Sequence, residues 1–104
     1  MALQEIRARN SPTIYPLIVS NLKLEKDENY YFSQDCPILD LHKGDILIAV
    51  QLKTIHVDIR KKPPEEIDSL LLEALQEKFI VFRIIRKNHP DAEKLINQKT
   101  VRLH

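Results

Sequence analysis

One glycine, one cysteine and no tryptophan in 104 residues set the first limits on this chain. With Gly44 alone, phosphate loops of the Walker or dinucleotide type are excluded, because both need several glycines to bring backbone close to phosphate. An oxyanion hole on a glycine-rich turn is equally hard to build. Cys36 has no second thiol to pair with, so an internal disulfide is excluded and a reducing compartment is the expected setting. Its expected state is that of a small, buried or half-buried hydrophobe. Neither sign of charge is in excess: 16 Lys and Arg stand against 15 Asp and Glu, a formal +1. Such a balance gives no global pull toward nucleic acid or membrane. Long apolar runs are missing too, with no window near the roughly 18 residues a membrane helix needs. The opening "MALQEIRARN" alternates in charge and reads as neither signal peptide nor anchor. The expected location is cytoplasmic or nuclear.

What is present is aliphatic. The apolar fraction is 43%, dominated by Leu, Ile and Val, enough for one modest core and one domain at this length. Residues 1–11 read as a polar lead-in with a fraying helix around Leu3 to Ala8. "TIYPLIVSNL" is rich in β-branched residues and predicts a strand over Leu17 to Leu22, with Pro16 confined to its start. The charged and aromatic stretch 23–37 follows neither period and is expected to be a long loop. Tyr30, Tyr31 and Phe32 within it are read either as a cluster pinning that loop to the core or as a binding patch.

Beyond it, "DILIAVQL" is apolar on both faces, as a central strand would be. "KTIHVDI" alternates Ile55, Val57 and Ile59 against Thr54, His56 and Asp58, as a half-exposed strand would. Pro63-Pro64-Glu65-Glu66 opens a helix, since proline fits its first turn and acidic residues suit its positive end. Ile67, Leu70, Leu71, Ala74 and Leu75 then form its apolar stripe. "FIVFRIIR" is a further strand, and Pro90-Asp91 opens a short helix toward Gln98. Element order and composition therefore predict an α+β fold, with a domain over 12–88 and a polar tail or short helix over 89–104. Gly44 is expected at a turn that needs positive φ.

Lys43-Gly44-Asp45-Ile46-Leu47-Ile48-Ala49-Val50, then Glu65-Glu66-Ile67-Asp68-Ser69-Leu70-Leu71, then Phe79 to Arg86 resemble, in that order, the second half of a PDZ domain over roughly residues 38–87. That resemblance implies a small, partly open β-sandwich or barrel with one main amphipathic helix. It also implies a non-catalytic interaction or scaffold module that buries a partner segment between helix and strand, or that self-associates as a homodimer. By family position Pro64, Asp68 and Leu71 face the groove, and Tyr30 and Tyr31 are added as partner-binding candidates. The family's glycine-rich carboxylate-binding loop has no counterpart, because no glycine precedes Gly44. Leu39-Asp40-Leu41-His42-Lys43-Gly44-Asp45-Ile46-Leu47 is also similar to a run in Src-homology-3 domains, which would make the chain an adaptor of that kind. A third alternative is a small subunit of a larger enzyme or nucleic-acid-binding assembly.

No chemistry is announced by spacing. His42, His56, His89, His104 and Cys36 lack the short intervals of a metal site, and Ser20, Ser33 and Ser69 have no visible base. The basic runs Arg60-Lys61-Lys62 and Arg83-Arg86-Lys87 read as solvated charges at element ends rather than as a nucleic-acid surface. No catalytic residue, metal or cofactor is expected, and the expected partner is a protein or peptide.

Overall fold

The computed structural model describes residues 3–97. The remainder of the expected tail, residues 98–104 with His104, lies outside the described residues. The chain runs β1 (Leu3–Arg9), α1 (Ile14–Asn21), β2 (Leu24–Lys26), β3 (Tyr30–Phe32), a 3-10 turn (Pro37–Leu39), β4 (Ile46–Leu52), β5 (Ile55–Asp58), α2 (Pro64–Leu75), β6 (Phe79–Ile85) and α3 (Ala92–Ile96). The fold is α+β. Its strands form one open antiparallel sheet in the order β1-β6-β4-β3-β2, with β5 also on β4. β4 is central, as its two-sided apolar sequence demands. β6 takes one side of it, while β3 and β5 share the other along its length. A bulge between Leu47 and Ala49 lets both Leu47 and Val50 reach the main core while Ile48 faces the opposite side.

The main core lies between one sheet face and α1, α2 and the 3-10 turn. Ile18, Phe32, Leu39, Leu41, Leu47, Val50, Ile59, Ile80, Phe82 and Ile84 are fully buried there, and the Phe32 and Phe82 rings meet at 6.1 Å. A smaller cluster on the other face, Ile48, Ile85 and Ala92, is covered by Leu95 and Ile96 of α3. Leu95 and Ile96 suffice because α3 is also held at its end. Arg60 Nη1 donates to the Ile96 carbonyl at 3.1 Å, where a cation suits the negative end of a helix. Asp58 fixes the same guanidinium. Burial raises the Asp58 carboxyl, but its hydrogen bonds and charge contact with Arg60 outweigh this and hold it below its ordinary value.

Two expected elements are different. Leu3 to Ala8 is not a fraying helix but most of β1, in register with β6 from Leu3↔Ile85 to Arg9↔Phe79. Only Ile6 is buried, so local sequence carries almost no sign of a strand. The strand expected over Leu17 to Leu22 is instead occupied by α1. Pro16 lies in the first turn of that helix, where its missing N–H costs nothing. Ser11 holds the start through its Oγ to the Ile14 amide at 3.3 Å and its carbonyl to the Tyr15 amide. Ile14, Ile18 and Leu22 then fall on one helical face against the core, and that burial overrides the β-branched propensity of the run. Stretch 23–37 is not a plain loop either, since it contains the β2–β3 hairpin.

On the sheet face that carries α3, Glu5, Arg83 and His56 line up across β1, β6 and β5. Arg83 Nη2 reaches Glu5 Oε2 at 3.3 Å, and its Nε donates to His56 Nδ1 at 3.3 Å, which requires that nitrogen to be unprotonated. Burial first, and then the Arg83 charge, lower the His56 pKa below 6.5, with Glu5 opposing. The native state therefore binds the His56 proton less readily than the unfolded chain. Stability is highest above 6.5 and falls as pH is lowered toward the depressed native value. Urea midpoints should drop between pH 7 and pH 5, and His56→Gln should flatten that slope. An unchanged slope in the variant would rule out His56 as the source.

Candidate partner-binding cleft

α2 presents its apolar stripe to the sheet: Ile67, Ala74 and Leu75 are buried, while Leu71, one turn before Leu75, is only partly covered. Across from it runs the hairpin strand β2. Leu22, Lys23, Leu24, Glu25, Ser33, Gln34, Asp68 and Leu71 line the cleft between them, about 310 Å³ in volume. Its floor is the leucine trio Leu22, Leu24 and Leu71, all packed on the core. Asp68 brings a carboxylate to its rim, while the Glu25 carboxylate is turned to the Tyr31 hydroxyl.

The backbone of β2 is arranged for addition of a strand. Ser33 N donates to the Lys23 carbonyl at 2.8 Å, and Phe32 uses its own amide and carbonyl for Asp45 and Gly44 on the other side. Leu24, directly opposite Phe32, therefore points its N–H and C=O away from β3, toward the open edge beside α2.

The expected site residues divide. Asp68 and Leu71 lie in the cleft. Pro64 is the first residue of α2 and is exposed, but it is not part of the cleft wall. Tyr30 is buried and donates its hydroxyl to the Lys62 carbonyl at 2.5 Å, which ties the segment before α2 to the hairpin. Burial, reinforced by Glu65, Asp68 and Glu66, raises its pKa above 10.0. Tyr31 faces elsewhere and donates to Glu25 Oε2 at 3.1 Å. That carboxylate bond raises the Tyr31 pKa above 10.0. It lines a separate cleft of about 430 Å³ with Asp27, Lys43, Ile46 and Lys87. Leu22 and Leu24 were not among the expected site residues. Their signal was the alternation in Leu22-Lys23-Leu24-Glu25, hidden because the preceding residues read as a strand of their own.

At the α1 end of the cleft the Leu22 amide is engaged by the Ile18 carbonyl at 2.8 Å. The arginines of the basic runs are likewise engaged: Arg60 with Asp58, Arg83 with Glu5 and Arg86 with Asp45. Among the described residues no three His, Cys, Asp or Glu side chains converge as metal ligands, and no helix is long and apolar enough to cross a membrane. No family model, curated protein or solved structure matches this chain.

Proposed function

We propose that the chain is a non-catalytic, PDZ-like interaction module that takes an extended partner segment between α2 and β2. The observation that carries this reading is the conjunction of the Leu22, Leu24 and Leu71 floor with outward-turned Leu24 main-chain groups beside it. An added strand would gain backbone hydrogen bonds from β2 and place one apolar side chain on the leucines. The Asp68 carboxylate favours a basic residue next to that anchor. Because the Leu22 amide at the α1 end is engaged and no glycine-rich loop precedes Gly44, the segment is internal to its protein rather than ending in a free carboxylate.

A fluorescence-polarisation screen of internal, Lys- or Arg-containing apolar peptides tests this. Leu71→Asp should weaken binding at least about tenfold, equivalent to roughly 1.4 kcal/mol. Leu72→Asp, on the same helix at an exposed position, should leave it unchanged, and amidating the peptide's C-terminus should have no effect. Full affinity in Leu71→Asp would sink the proposal.

A further inference from the structure

The sheet has a second long edge that the cleft does not use. Among the described residues β1 ends the strand order opposite β2 and pairs only with β6. The Asn10 N–H donates to the Lys78 carbonyl at 2.8 Å, one step beyond the Arg9↔Phe79 register. Alternation from that bonded pair gives residues 4, 6 and 8 to β6. Leu3, Glu5, Arg7 and Arg9 therefore turn their N–H and C=O groups outward. A seven-residue edge strand is a ready template for another strand, and natural proteins commonly blunt such edges with proline, a bulge or charge. β1 has no proline and its register is unbroken. It carries charge, but in an order that complements itself.

We propose that two copies of this chain associate through β1, antiparallel about a two-fold axis at Ile6, so that one sheet continues across both. In this register outward-facing residues meet outward-facing residues, and Glu5 of each copy lies opposite Arg7 of the other, with Leu3 opposite Arg9. The side chains of these residues share one sheet face, where Glu5 already meets Arg83 and Arg7 lies 5.1 Å from the centre of the Phe79 ring. A carboxylate has acceptor capacity for a second guanidinium, so Glu5 serves both arginines. Other registers are worse. A slip of one residue sets outward groups against groups already bonded to β6. A two-fold moved one residue along the strand sets Glu5 against Glu5, or Arg7 against Arg7, and like charges directly opposite are destabilising. A strand pair is a small interface, so the dimer is weak and concentration-dependent. This goes beyond the cleft reading and does not depend on it.

Sedimentation equilibrium over a wide concentration range tests the proposal. The wild-type chain should dimerise reversibly, and more weakly as salt is raised. Arg7→Glu and Glu5→Arg should each raise Kd tenfold or more. An equimolar mixture of the two variants should form a heterodimer, because both pairs between positions 5 and 7 are again of opposite sign. Heterodimer formation also shows that both variants fold. Leu71→Asp should dimerise as the wild type does. A wild-type chain that stays monomeric at millimolar concentration, or a mixture that fails to associate, overturns the proposal. Loss of the dimer in Leu71→Asp would overturn it too, by placing the second copy in the cleft.

Discussion

Asp45→Ala is expected to cost about 3 kcal/mol of unfolding free energy, the low end for removing one partner of a buried ion pair, which for a domain of this size lowers Tm by roughly 12–20 °C. The carboxylate is 2% exposed and serves two elements. Asp45 Oδ2 accepts the His42 amide at 2.8 Å, closing the turn into β4, and it pairs with Arg86 Nη1. Arg86 in turn donates to the Asp40 carbonyl at 3.1 Å and to Gln4 Oε1 at 3.2 Å. One side chain therefore joins the end of β6 to β1, to the loop after the 3-10 turn and to the start of β4. Alanine leaves the partly buried guanidinium without its carboxylate and the His42 amide without its acceptor. Asp45→Asn, which keeps an acceptor but no charge, should fall between. Because Asp45 and Arg86 act together, Asp45→Ala with Arg86→Ala should cost less than the sum of the single changes. Additive losses in a urea-denaturation cycle would show that the two act independently.

Gly44→Val comes second, at roughly 2–3 kcal/mol, because two separate features reject the side chain. Gly44 has φ +94°, and the Asp45 amide bonds the His42 carbonyl at 3.0 Å. Gly44 is thus the third residue of a tight turn, the position where a type II turn requires positive φ. A Cβ there would also come within 2.9 Å of Lys87 Cδ. The lysine is exposed and can swing away, whereas the backbone cannot move without breaking the Gly44 amide's 2.7 Å bond to the Phe32 carbonyl. Adding Lys87→Ala to Gly44→Val should therefore recover only a small part of the loss. Full recovery would assign the effect to crowding and acquit the backbone.

The legible parts of this fold are those whose evidence is local. α2 announces itself through two prolines, two glutamates and an apolar stripe within a dozen residues. β4 and β6 do so through apolar runs too short for buried helices, and Gly44 through being alone. The parts that misled depend on partners far away in sequence. β1 is polar because it lies at an edge and settles its charges through Arg83 and Phe79 on the neighbouring strand, neither of which is visible from Leu3–Arg9. α1 is written in β-branched residues, and its Pro16 is as acceptable in a first helical turn as at a strand's start; contact of Ile18 with the core decides between them. The cleft was half legible for the same reason. The resemblance to PDZ domains named Asp68 and Leu71 as groove residues, but the opposing wall could not be drawn while the residues before Leu22 were read as strand. Tyr30, read either as pinning its loop to the core or as part of a binding patch, is buried and tied to Lys62.

The pairing of β1 with β6 also orders events in time. A strand spanning Leu3–Arg9 whose neighbour in the sheet is Phe79–Ile85 leaves the ribosome long before that neighbour exists. The β2–β3 hairpin, the β4–β5 pair and α2 are close in sequence and can form as they emerge. β1 must wait until β6 is made, and among the described strand pairs its closure spans the longest loop. Earliest of the described strands in the chain, it can pair only after β6 has followed it.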